Sequence, residues 1–229
     1  MIVPFQQIIP SELAREIVQA TELEHFADGS ATAGNNAQIK NNRELLDQTE
    51  ANLKYRAQIK DILWRHPIFL TLAMPNRIMD CLFSRYEVGM HYGDHVDNTI
   101  MDIQSGDPTR ADLSMTIFLE DPSSYDGGEL VINTDTAPQS FKLNPGDAIL
   151  YPTANYHRVE PVTRGVRRVA IMWIQSIVPD PDKRQILTDM WMALDWLHRQ
   201  IPPGTANENK TFMTLDKARS NLYRLWAEV

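Results

Sequence analysis

The sequence holds a single cysteine, Cys81, in 229 residues. One thiol forms no internal disulfide and builds no multi-cysteine zinc site, which fits a reducing compartment. Basic residues are in deficit: 22 Lys and Arg face 30 Asp and Glu, for a formal net charge of -8. Broad binding to a nucleic-acid backbone needs a basic face, so nucleic acid is not an expected partner. No apolar run is long enough to suggest a membrane-spanning helix. Pro4, Glu12, Arg15 and Glu16 interrupt the opening stretch, so no secretory leader is expected and a cytoplasmic location is the default. Internal repeats and low-complexity tracts are also missing.

What is present suits a folded chain. Hydrophobic residues make up 43% and charged residues 23%, close to a globular average. A chain of this length buries about 70% of its unfolded surface without staples. Three zones follow. In the first, Ser11 is a candidate cap for a helix carrying Leu13, Ile17 and Val18. Residues 26–41 are rich in small and polar residues and read as a loop or irregular ribbon. A second helix is expected over 43–64, with Leu45, Leu46, Leu53, Ile59, Ile62 and Leu63 as its stripe and Pro67 as its stop.

The second zone alternates short β-branched and aromatic runs with turn residues. Strands are expected at 78–86, 113–119, 129–132, 141–143, 148–151 and 168–176. Asp126-Gly127-Gly128, Asn144-Pro145-Gly146-Asp147 and Arg164-Gly165 punctuate them. That pattern suggests an antiparallel sandwich or barrel such as a jelly roll. The third zone begins at Pro179 and Pro181 and is helical, with a break at Pro202-Pro203-Gly204. The fold class expected is α+β, with a jelly-roll core, N-terminal helices packed on it and a C-terminal helical extension. The corresponding divisions are 1–77, 78–178 and 179–229.

The chemistry is concentrated after Arg85. His95 and Asp97 form a His-x-Asp pair, which on a strand places an imidazole and a carboxylate on one side. Alone, such a pair reads as a solvated loop. His157, after the apolar run 148–151, is the best third donor. Two histidines and one carboxylate on one face of a metal make the facial triad of non-haem Fe(II) oxygenases. Arg167, ten residues on, has a guanidinium suited to gripping a carboxylate by two charge-assisted hydrogen bonds. Which of Arg167 and Arg168 faces the pocket is left open by the register.

Taken together, several motifs resemble those of the Fe(II)- and 2-oxoglutarate-dependent dioxygenases of prolyl/lysyl hydroxylase type, and more closely the bacterial PKHD-type hydroxylases. They are Tyr86, Gly89 and Tyr92 before His95-x-Asp97; Arg110 to Ser114 leading into Thr116 to Leu119; Tyr125 to Leu130; Pro145-Gly146-Asp147; Tyr151-Pro152; His157-Arg158-Val159; and Arg167. The resemblance implies a double-stranded β-helix and iron held by His95, Asp97 and His157. It also implies 2-oxoglutarate anchored by Arg167, with Tyr86 near the cosubstrate. Phe118 stands where some relatives carry a tyrosine, which leaves part of the cosubstrate's hydrogen bonding unassigned. The resemblance further implies dioxygen as oxidant, L-ascorbate to keep the iron reduced, succinate and carbon dioxide as coproducts, and a prolyl or lysyl side chain of a peptide or protein as substrate. A setting in iron uptake is also described for that group.

Other readings stand beside it. One is a jelly-roll module that binds a metal or small ligand without turnover, and another is a Mn or Zn enzyme that uses the same sandwich without 2-oxoglutarate. His91 lies four residues before His95, a spacing that suits zinc on a helix, but this region reads as strand and turn. His25, His66 and His198 read as packing or surface residues, and Cys81 as a buried strand residue. Arg110 and Asp112 suggest a salt-bridged turn, and 98–112 a lid or a plain surface loop. Trp191, Trp196 and Trp226 suit core packing or an interface in a homo-oligomer.

Overall fold

A computed structural model of the chain describes residues 1–46, 48–101 and 106–228. Two antiparallel sheets form its centre. The larger runs, strand by strand, through Val3–Phe5, Ala148–Pro152, Leu113–Phe118, Arg167–Ser176, Leu82–Tyr86, Arg43–Glu44 and Ala27–Asp28, with Pro75–Ile78 also on Arg167–Ser176. The smaller runs through Gln139–Phe141, Leu130–Ile132, His157–Val159, His91–His95 and Lys40–Asn41. Helices α1 (Ser11–Thr21), α2 (Glu50–Arg65) and α3 (Pro67–Ala73) cover the large sheet, and α4 (Pro181–Gln200) and α5 (Lys210–Trp226) form the C-terminal extension. Helices and antiparallel sheets in these proportions are the expected α+β class.

Period-two alternation divides the large sheet between two cores. Met115, Ile117, Leu150, Ala170 and Met172 pack with α1, α2 and α3 through Leu13, Ile17, Ile59, Leu63 and Phe69. The alternate positions Phe118, Ile149, Tyr151 and Val169 pack with Leu130, Ile132 and Val159 of the small sheet. The polar residues Ser114 and Thr116 share the parity of Phe118 and are almost fully buried. A polar stripe inside an otherwise apolar strand costs free energy unless its groups are bonded. Here it marks the side on which the site is built.

The N-terminal region is not simply helical. Residues 26–41, expected as an irregular ribbon, contain two short strands and two 3-10 turns, Gly29–Thr32 and Gly34–Ile39. Arg43–Glu44 is a strand paired with Leu82–Tyr86, so α2 starts at Glu50. Leu45, assigned from the sequence to the helix stripe, is fully buried beyond that strand, its N–H bonded to the Phe83 carbonyl. The Thr49 hydroxyl caps α2 at the Asn52 N–H. Ser11 caps nothing: Pro10 holds the N-cap position, and the Ser11 hydroxyl bonds Glu12. Pro67 does not merely end α2. It opens α3 as a first-turn proline, with His66 Nδ1 accepting from Phe69 N–H. The strand expected over 78–86 is two strands, broken at Met79–Cys81, and His91–His95, in the region read as strand and turn, is a strand.

Among the described residues, no helix is long and apolar enough to cross a membrane. Trp226 packs near Met74, Val178 and Leu187, whereas Trp196 is 64% exposed.

Candidate metal and cosubstrate site

His95 ends one strand of the small sheet and His157 begins its neighbour, and the two are directly paired across the ladder. Asp97 lies two residues beyond His95. The three side chains bring one donor atom each to within 4.8 Å of one another. Asp97 Oδ1 stands 3.6 Å from both His95 Nε2 and His157 Nε2. Both histidines are buried, at 5% and 4% exposure.

Each donor is oriented from behind. His95 Nδ1 lies 2.8 Å from the Gly93 carbonyl and His157 Nδ1 lies 3.0 Å from the Asn155 carbonyl. A carbonyl only accepts, so the proton sits on Nδ1 and the Nε2 lone pair faces the centre. Asp97 Oδ2 accepts from the Ser114 hydroxyl and the Trp173 indole, both at 2.8 Å, leaving Oδ1 free. Ser114 also meets Thr153 Oγ1 at 3.0 Å. Tyr92 stacks on the His95 ring at 3.5 Å, and Tyr151 sits edge-on to His157 at 5.1 Å.

The electrostatics suit metal ligation. Burial would raise the Asp97 carboxyl, but its contact with His95, the charge of His157 and the Trp173 N–H outweigh it, and its pKa falls to about 2. Burial lowers the His157 imidazole, against the pull of Asp97. A neutral imidazole and an ionised carboxylate are the ligand forms. Tyr86 is pushed up to about 12, chiefly by burial, so it remains a phenol and a donor.

The cluster lines a cavity of about 450 Å³ that also reaches Arg167, Tyr86, Tyr151, Thr116, Leu130 and Val159. Arg167 is 1% exposed, and its Nε and one terminal nitrogen have no hydrogen-bond partner among the described residues. Its guanidinium lies 5.0 Å from the Tyr86 ring centre and 5.7 Å from that of Phe118. A buried cation with unspent donors is costly unless an anion completes it. Gly128 makes room for it: at φ +68°, a Cβ here would stand 3.0 Å from Arg167 Cδ.

The register settles which arginine faces inward. Arg167, Ile171 and Trp173 line the cavity, while Arg168 points away and is ion-paired with Glu22 and Glu120. His95, Asp97, His157, Arg167 and Tyr86 therefore share one cavity. His91 is not in the cluster; its Nδ1 is 3.3 Å from the Gly89 carbonyl. His66 caps α3, and His198 packs near Phe212. Cys81 is buried as expected, but between strands, where it lines the cavity. Arg110 and Asp112 do form an ion pair, and Asp112 also accepts from the Ser176 N–H. Of the stretch 98–112, Asn98 and Met101 line the cavity, and 102–105 lie outside the described residues. Sequence reasoning missed Ser114 and Trp173. Their signal was parity: Trp173 lies six residues from Arg167 on one strand, and Ser114 is polar in an apolar run.

Comparison with known proteins agrees with this geometry. Residues 81–175 match the model of the 2OG-Fe(II) oxygenase superfamily. A PKHD-type hydroxylase of Acaryochloris marina is 38% identical over 229 residues, covering all of both chains. One from Pseudomonas putida is 40% identical over 95% of each. Among solved structures, a Pseudomonas putida prolyl-4-hydroxylase matches with a TM-score of 0.55 at 20% identity, over 76% of this chain and 92% of that one. A Trichoplax adhaerens prolyl hydroxylase, solved with a peptide of hypoxia inducible factor, matches at 0.56 and 16% identity, over 81% of this chain and 86% of that one. The structural matches carry the fold, and the full-length relatives carry the family and, with it, an enzyme rather than a passive binding module. The chain belongs to the PKHD-type hydroxylases of the 2OG-Fe(II) oxygenase superfamily.

Proposed function

We propose that His95, Asp97 and His157 hold Fe(II), and that Arg167 grips the distal carboxylate of 2-oxoglutarate, in an enzyme that hydroxylates a C–H bond. The observation that carries this reading is the buried guanidinium of Arg167, two of whose nitrogens have no hydrogen-bond partner among the described residues, in the same cavity as a two-histidine, one-carboxylate donor set. The donor set fits a ferrous ion with positions left open. The orphaned N–H groups of Arg167 fit a carboxylate. Bound together, iron and 2-oxoglutarate supply the oxidising chemistry that activates dioxygen and leaves succinate and carbon dioxide.

The chain's own residues do the positioning. Ser114 and Trp173 fix Asp97 so that one oxygen faces the metal. The Gly93 and Asn155 carbonyls fix both imidazoles. The protonated Tyr86 hydroxyl is a second donor for the cosubstrate beside Arg167. Leu130, Val159 and Ile171 line the cavity with apolar surface that keeps water from the reacting centre. On this reading the paired antiparallel sheets are a jelly roll, or double-stranded β-helix. Residues 78–178 are then the catalytic unit, 1–77 its support and 179–229 an extension. L-ascorbate is the reductant that keeps the iron ferrous, as the family resemblance implies.

The substrate class we assign is a prolyl or lysyl side chain of a peptide or protein, supported by the prolyl hydroxylases that share the fold. The test is incubation of the iron-loaded protein with 2-oxoglutarate, air and prolyl- or lysyl-containing peptides. Succinate release coupled to a peptide mass gain of one oxygen atom, absent in His157→Ala, is expected. Succinate release that needs neither iron nor His157 contradicts the assignment.

A further inference from the structure

One wall of the cavity comes from the segment between α1 and α2 and carries a buried ion pair. Lys40 and Glu44 are bonded to each other with side chains only 7% and 1% exposed, and both line the cavity. Glu44 is fully engaged. Its Oε1 takes Lys40 and, at 3.4 Å, Asn42 Nδ2; its Oε2 takes the Thr32 hydroxyl at 2.6 Å. Lys40 is not. Its ammonium spends one N–H on Glu44 and one on Thr32 Oγ1 at 2.7 Å, and an ammonium has three. The same ammonium stands 5.3 Å from the centre of the Tyr92 ring, which stacks on His95. The spare donor is therefore one aromatic ring away from the metal cluster.

A second spare donor lines the same cavity. Arg56 of α2 bonds the carbonyl of Leu45, the residue after Glu44, through one terminal nitrogen, while its buried Nε has no partner among the described residues. Among the described residues, the other acid of the lining outside the metal cluster is Asp80, and Lys60 pairs with it at 2.7 Å. Lys40 cancels Glu44, and Lys60 cancels Asp80. The formal charges of a ferrous ion, Asp97, a 2-oxoglutarate dianion and Arg167 also cancel. Among the described residues, Arg56 then leaves the substrate side of the cavity one positive charge in excess, in a chain of net charge -8. Among the described residues, the buried unpartnered groups on this side include the Arg56 Nε, which lines the cavity, and Asn42 Oδ1, which does not.

The geometry points to a substrate that carries a carboxylate close to the hydroxylated carbon, received by Lys40 and Arg56. This rests on the functional reading above and narrows it: a free acid is favoured over an internal, amide-linked residue. Glu44 and Thr32 act as positioning residues that hold the Lys40 ammonium over Tyr92.

The test uses the full chain with Fe(II) and saturating 2-oxoglutarate, without oxygen. The probes are matched pairs of small acids and their primary amides, including N-acetylproline with N-acetylprolinamide and N-acetyllysine with its amide. Binding is read by ligand-observed NMR or by the shift of the visible iron–oxoacid band. At least one acid is expected to bind ten-fold or more tightly than its amide. That preference is expected to fall below three-fold in Arg56→Met and in the double variant Lys40→Met/Glu44→Gln, which removes the pair without stranding a buried carboxylate. The visible band reports that each variant folds and loads. If no acid in the panel outbinds its amide, or if the preference survives both variants, the inference is overturned. A missing band in the parent is a different failure and strikes the functional reading itself.

Discussion

Arg167→Met separates what the arginine costs the free protein from what it does for the cosubstrate. In the free protein two N–H-bearing nitrogens of a 1% exposed side chain lack partners among the described residues. Each unsatisfied buried group costs about 1–3 kcal/mol. The contacts with the Tyr86 and Phe118 rings return roughly 0.5–2 kcal/mol each. Methionine keeps much of the length and removes the charge, so the metal-free variant is expected to be more stable by about 1–2 kcal/mol. For a chain of this size that is a rise in Tm of about 2–8 °C. Cosubstrate binding moves the other way. Two charge-assisted bonds at about 1.5–3 kcal/mol each amount to roughly 3–6 kcal/mol. At about 1.4 kcal/mol per decade, affinity for 2-oxoglutarate falls on the order of a hundred- to ten-thousand-fold. Thermal unfolding of the metal-free protein and an anaerobic 2-oxoglutarate titration measure the two effects. A Tm lowered by several degrees, or an affinity within ten-fold of the parent, refutes the reasoning.

Ser114→Ala and Trp173→Phe each remove one bond to Asp97 Oδ2 and are expected to weaken metal binding by about 10- to 100-fold, read by competition with a metal indicator. Gly128→Ala forces a side chain into φ +68° and a Cβ to 3.0 Å from Arg167 Cδ. A stability loss of about 1–3 kcal/mol by denaturant unfolding is expected, together with weaker cosubstrate binding. His157 ionises near 6.5 in the unfolded chain and lower in the fold, because of burial. Between those values the unfolded state binds more protons. The metal-free protein therefore carries no penalty from this group above about pH 7 and loses stability as pH falls through the folded pKa. Unfolding measured at both ends of that window in the parent and in His157→Gln checks it, the variant showing a shallower fall.

The site was more legible than the segment that walls it. His95, Asp97 and His157 could be named because a metal donor set constrains residue type and spacing, and strand alternation then fixes the facing. In the sequence only the family resemblance favours Arg167 over Arg168, and the ladder supplies the physical reason by placing Arg167 opposite Tyr86. The stretch from Ala27 to Glu44 was opaque for a physical reason. Its strands are two residues long, too short for a period to show, and pairing with Leu82–Tyr86 and His91–His95 holds them in place. Leu45 misled the helix boundary because a buried strand extension and a helix stripe both demand an apolar residue. Nothing in the sequence singles out Lys40 and Glu44, because their burial beside the cavity is a tertiary fact.

The most direct test of the central claim is the visible spectrum of the metal-free protein given Fe(II) and 2-oxoglutarate without oxygen. An iron–oxoacid charge-transfer band is expected in the parent, lost in His157→Ala and needing far more 2-oxoglutarate in Arg167→Met. A folded parent protein that shows no band at saturating Fe(II) and 2-oxoglutarate contradicts the assignment of this cavity.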